Sequence, residues 1–176
     1  ARMSPVNTLY DLQMLGNAVF AATGVLAVNR RGLDVFGGVV LGTVTALGGG
    51  TIRDLIVSAP VFWLADTNYL LVGVASSVIA FFAAKRIATG YQLLLYLDAV
   101  GVALVGVQAT EKVLGLGHGG AVGVAMGVLS GIGGGLLRDV LAARPTLLMS
   151  REIYATPILI GCVLYVGLRY TSLDRG

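Results

Sequence analysis

Two heptapeptides, "GGGTIRD" at residues 48–54 and "GGGLLRD" at 133–139, concentrate the chemistry-capable residues of this 176-residue chain. Three glycines in a row, each about 1 kcal/mol poorer than Ala in a helix, predict a broken or kinked helix with freed backbone carbonyls. Such carbonyls replace part of a cation's hydration shell, and neighbouring carboxylates raise the local cation concentration while arginines keep the field from trapping it. The reading therefore places Gly48, Gly49, Gly50, Arg53 and Asp54, with Gly133, Gly134, Gly135, Arg138 and Asp139, along an ion path. Thr45 and Ser130 and Asp98 join them as polar residues inside apolar runs, with Lys112 at the end of the fourth span. Asn17 and Gln108 read as interhelix hydrogen-bonding residues, and Asp98 as a carboxylate that demands a partner or water.

The elements that must carry these residues are membrane helices. The chain is 56% hydrophobic and only 12% charged, with mean hydropathy +0.87, outside the range of soluble domains. Apolar runs at 12–28, 35–52, 67–84, 91–110, 119–137 and 153–168 give six spans of bilayer length, one of them interrupted by Asp98. Runs apolar on both parities exclude a β-barrel. The expected fold is all-α and integral to the membrane, one domain over residues 1–176, with the first span counted as structure rather than as a signal peptide.

Loop charges set an orientation. Arg30, Arg31, Lys85, Arg86, Arg144 and Arg151 follow the odd-numbered spans, against Arg2, Lys112, Arg169 and Arg175 on the other side. The amino terminus is therefore expected outside the cytoplasm, and the net charge of +3 reflects this bias rather than a nucleic-acid partner. The lone His118 has no second metal-type ligand spaced near it. Neither a dinucleotide turn nor a hydrolase triad is present, so no enzyme activity and no cofactor are expected. The lone Cys162 reads as a small packing residue.

A shift of 85 positions, without a gap, superposes Gly38, Gly42, Gly48 to Gly50, Arg53, Asp54 and Pro60 on Gly123, Gly127, Gly133 to Gly135, Arg138, Asp139 and Pro145. The chain is a duplication, with repeats at 8–86 and 93–171. Three spans per repeat force the second copy through the membrane upside down, the plan of many transporters. Two functions fit that plan: a passive cation channel, or a secondary transporter of a small polar solute such as an amino acid. Gly38, Gly42, Gly123 and Gly127 read instead as a close-packing ridge.

The paired GGGxxRD motifs in the second and fifth spans, with "LDAVGVAL" at 97–104 and "ATEKVL" at 109–114, resemble the trimeric intracellular cation (TRIC) channel family in its prokaryotic branch. The resemblance implies a homotrimer in a prokaryotic plasma membrane. It also implies a K⁺- and Na⁺-conducting pore in each protomer, between second and fifth helices kinked at the triplets. Lys112 matches a basic position at the end of the family's fourth helix. The family has seven helices where six are read here, and Gln13 stands at the position whose repeat mate is Asp98.

Overall fold

The computed structural model describes residues 5–28, 34–86, 91–149 and 155–173, and among them there is no strand. Six long helices form, α1 (Pro5–Val28), α2 (Val35–Ile56), α4 (Asn68–Arg86), α5 (Tyr91–Gly115), α6 (Gly120–Leu141) and α7 (Ala155–Leu173). A four-residue α3 (Phe62–Ala65) and a 3-10 turn (Leu147–Met149) complete the order. Stretches of α1, α2, α5 and α6 are long and apolar enough to cross a bilayer; the apolar stretches Asn68–Ala84 and Ala155–Thr171 are shorter. Seventeen residues rise about 25 Å, near the lower limit for a span. Arg2, Arg30, Arg31, Arg151, Tyr154 and Arg175, and the side chains of Lys85 and Arg86, lie outside the described residues.

The break expected at the glycine triplets does not occur: α2 runs uninterrupted through Gly48 to Gly50, and α6 through Gly133 to Gly135. What the glycines supply is contact between backbones. A Cβ on Gly49 would collide with the Ser130 carbonyl oxygen, and one on Gly134 with the Thr45 carbonyl oxygen. These contacts are repeat mates, and the pairing of 45 with 134 and 49 with 130 makes α2 and α6 antiparallel where they cross. Lipid tails are as apolar as Leu, so helices in a bilayer associate through such close packing and through polar contacts. Close approach of this kind offsets the low helix propensity of glycine.

The same symmetry recurs elsewhere. Gly16 packs on Val105 and Gly101 on Phe20, so α1 and α5 also cross antiparallel. Gly42 is wedged against Ser77 and the Ala21 carbonyl, and its mate Gly127 against Cys162 and the Gly106 carbonyl. The packing-ridge reading of Gly42 and Gly127 therefore holds, and buried Cys162 sits at the position of Ser77.

Both central helices end in one motif. Ser58 N donates to Leu55 O and Ala59 N to Asp54 O; Ala143 N donates to Val140 O and Arg144 N to Asp139 O. This is the double bond of a Schellman cap, which needs a left-handed residue at its pivot. Ser58 (φ 54°) and Ala143 (φ 42°) occupy that pivot where glycine is usual.

Candidate functional site

Each Arg-Asp pair lies about one turn past the crossing, so Arg53 and Arg138 stand on opposite sides of it. Asp54 Oδ1 accepts from Arg53 Nε at 2.8 Å, while Oδ2 accepts from the Phe62 backbone N–H at 2.9 Å. Asp139 repeats this, taking Arg138 Nε at 2.9 Å and the Leu147 N–H at 3.1 Å. Each carboxylate thus ties its helix end to the start of the next short helix, eight residues on. Burial makes the ties matter, because a charge in the apolar interior is tolerated only when paired and hydrogen-bonded.

The third partners differ. Lys112 Nζ reaches Asp54 Oδ1 at 2.8 Å, so two cations share one carboxylate there. At the other end Asp98 pairs with Arg138, so one guanidinium lies between two carboxylates. Arg138 and Asp98 are both 0% exposed, whereas the Lys112 side chain is 28% exposed. The partner demanded by Asp98 is therefore Arg138. Among the described residues Arg138 Nη2 has no hydrogen-bond acceptor.

The sequence-predicted residues divide into three groups. Thr45, Gly49, Ser130, Gly133 and Gly134 meet at the crossing, where Gly133 would place a Cβ 3.2 Å from Gly49 Cα. The backbones of α2 and α6 are thus in contact at the triplets. Gly48 faces Leu137 and Gly50 faces the Phe62 ring, while Gly135 is buried in α6. Arg53, Asp54 and Lys112 form one cluster and Arg138, Asp139 and Asp98 the other.

Open volume lies to one side. A cavity of about 460 Å³ runs between α1, α2, α4 and α5, with Gln13, Asn17, Arg53, Tyr69, Gln108 and Lys112 in its wall. Phe62 stacks edge-on with Tyr69 and stands 5.8 Å below the Arg53 guanidinium, a cation–π distance. Tyr69 donates its hydroxyl to Gln13 Oε1, and Asn17 Nδ2 donates to the Tyr69 carbonyl at 2.6 Å. Asn17 Oδ1 and Gln108 Nε2 are buried without a hydrogen-bond partner among the described residues. The reading of Asn17 as an interhelix bond holds for its nitrogen.

Three of the polar wall positions have less polar mates. Ala27 stands for Lys112, Val102 for Asn17, and Thr23, bonded to the Phe20 carbonyl of its own helix at 2.9 Å, stands for Gln108. Ala27, Leu41, Leu94, Ala142 and Leu147 pack there as a core cluster. Sequence reasoning missed Gln13, Tyr69 and Gln108 as cavity residues. The available signal was spacing: Gln13 and Asn17 lie one turn apart on α1, and Gln108 and Lys112 one turn apart on α5, so each pair shares a face.

These features describe a helical membrane protein built by duplication, with an ion cluster on either side of a glycine crossing. The family described as "Glycine transporter" matches it twice, over residues 11–85 and 95–170, one match to each half. The UPF0126 membrane protein of Vibrio cholerae is 42% identical over 172 residues, covering 96% of this chain and 70% of the relative. The UPF0126 inner membrane protein YadS of Escherichia coli is 39% identical over 165 residues, covering 93% and 80%. A solved TRIC trimeric intracellular cation channel orthologue from Rhodobacter sphaeroides superposes with a TM-score of 0.90 at 39% identity, covering 93% of this chain and 85% of that one. The chain belongs to this family, the prokaryotic branch of the TRIC channels.

Proposed function

We propose that the protein is a passive channel for the monovalent cations K⁺ and Na⁺, assembled as a homotrimer with one path in each protomer. The observation that carries this reading is the likeness, at 39% identity over 93% of the chain, to a structure known as a trimeric cation channel. The repeats at 8–86 and 93–171 act as inverted halves in a bacterial plasma membrane, with the amino terminus outside the cytoplasm. The path enters the cavity past Lys112 and Arg53, meets its constriction where Thr45 and Gly48 to Gly50 cross Ser130 and Gly133 to Gly135, and leaves past Asp98, Arg138 and Asp139. Because backbones touch at that constriction, conduction requires α2 and α6 to separate or rotate, and the packing described is the closed state. The carboxylates of Asp54, Asp98 and Asp139 then become available to the ion as their ion pairs loosen.

Purified protein in planar bilayers tests the reading. Ohmic single-channel currents that reverse at the K⁺ equilibrium potential in a KCl gradient are expected; currents reversing at the Cl⁻ potential overturn it.

A second reading has one observation in its favour, the family description "Glycine transporter". A cavity open on one side and sealed at a central crossing also suits alternating access, in which inverted halves rock about a fixed site. Silent bilayers together with saturable, gradient-driven glycine uptake into vesicles would select it.

A further inference from the structure

We infer that the cavity between α1, α2, α4 and α5 binds a small α-amino acid as its zwitterion. The carboxylate lies toward Lys112, Arg53 and Gln108, and the ammonium toward Asn17. The inference rests on the substrate class of the second reading and gives that class a site; binding itself requires no transport. Its first support is unmatched hydrogen-bonding capacity. Asn17 and Gln108 are 4% and 8% exposed, both line the cavity, and they leave one acceptor, Oδ1, and one donor, Nε2, without partners. A buried polar atom left so forfeits the hydrogen bond it would make to water. That cost is recovered by a ligand presenting both a donor and an acceptor.

Charge gives the polarity of that ligand. Lys112 has three N–H donors and spends one on Asp54, and Arg53 directs Nε and Nη2 to the same oxygen, so the cluster holds more positive than negative charge. That excess favours a carboxylate, with donors of ammonium and guanidinium type to receive it. Asn17 is the counterweight, since its free oxygen accepts from an ammonium and offers nothing to a second carboxylate oxygen. The aromatic wall of Phe62 and Tyr69 bounds the apolar side, and about 460 Å³ accommodates a ligand of glycine's or alanine's size with water.

The duplication supplies a control within the molecule. At the mate positions Val102, Thr23 and Ala27 replace Asn17, Gln108 and Lys112, and Ala27 packs there in an apolar cluster with Leu41, Leu94 and Leu147. The fold is therefore built without these polar groups in its other half.

The test measures equilibrium binding of radiolabelled glycine to the full chain in lipid nanodiscs, for the wild type, Asn17→Val and Gln108→Thr. Each substitution imports the residue from the mate position. Saturable binding is expected, displaced by unlabelled glycine but not by acetate or methylammonium at equal concentration. About tenfold weaker binding, or 1.4 kcal/mol, is expected in each variant. Wild-type protein without saturable binding, equal displacement by acetate, or unchanged affinity in both variants overturns the inference. Should a variant fail to fold, judged by its thermal unfolding, the wild-type displacement series still decides. Vesicle uptake is read separately: binding without uptake sinks the transport reading alone, and uptake untouched by both substitutions sinks the site alone.

Discussion

The Arg53 end and the Arg138 end start from the same heptapeptide, the same Schellman cap and the same carboxylate tie to a backbone N–H eight residues on. They part company through residues far away in sequence, on α1 and α5. Lys112, whose mate is Ala27, adds a cation to one end; Asp98, whose mate is Gln13, adds a carboxylate to the other. One end is consequently partly exposed and beside a large cavity, and the ion pair of the other is fully buried. Duplication kept the parts that position a helix end and changed the charged partners those parts meet. A motif repeated faithfully thus marks scaffold, and the unequal partners mark where the two ends differ in ion pairing and burial.

Removing each third partner should separate the ends most clearly. Asp98→Ala leaves a fully buried guanidinium short of one of its two carboxylates, and losing one partner of a buried ion pair costs about 3–5 kcal/mol. Lys112→Met removes a partly exposed cation from an Asp54 that keeps Arg53 and the Phe62 N–H, and about 1 kcal/mol or less is expected. Thermal unfolding in one detergent compares the two variants directly. Equal losses would mean that the ends are energetically alike, and the contrast drawn from burial would fail.

The crossing belongs to both halves, and here symmetry should reassert itself. Gly49→Ala and Gly134→Ala each push a methyl into a carbonyl oxygen of the facing helix, at mate positions. Overpacking of this kind costs about 1–3 kcal/mol, and the two variants should agree within experimental error. Gly48→Ala should be milder, because the obstructing atom is the Leu137 Cδ1 at the tip of a flexible side chain. A Gly48→Ala loss as large as that of Gly49→Ala would show that the triplet acts through helix propensity, not contact.

How much of this was legible in the sequence depends on whether the signal was periodic or spatial. Six apolar helices and the 85-residue repeat were readable because length, hydropathy and matched glycines are properties of the chain itself. The continuity of α2 and α6 through the triplets was not legible: propensity argues for a break, while the contact with Ser130 and Thr45 exists only once α2 and α6 meet. Asp54 and Asp139 were found by type, but their second oxygen's partner, eight residues on, depends on the turn. That turn carries no glycine at its pivot, so Ser58 and Ala143 gave no signal. The cavity was missed because its wall is drawn from four helices.

Lys112 also sets a smaller contrast, seen in conduction. A unit charge about 6 Å from a passing cation costs it about 0.7 kcal/mol in water, roughly a threefold change in local concentration. Under the channel reading, Lys112→Met should raise cation current from the cavity side by about that factor at low salt. At 1 M salt, where the screening length falls to about 3 Å, the gain should vanish. Single-channel recordings at both ionic strengths check this, and a gain that persists at 1 M would assign Lys112 a structural role in place of an electrostatic one.

The smallest effect is expected where the halves remain most alike. Ser58 and Ala143 adopt left-handed backbone angles that cost an L-residue about 1–2 kcal/mol. Glycine removes that strain but adds freedom to the unfolded chain worth about 0.4–1 kcal/mol, so Ser58→Gly and Ala143→Gly should each stabilise by about 0.5 kcal/mol. Neither side chain enters the Schellman bonds, which are made by backbone N–H groups alone. The two gains should therefore match, although one cap borders the cavity and the other the packed end. Unequal gains, read from the same unfolding curves, would place part of the difference between the ends in the loops themselves and not solely in Lys112 and Asp98.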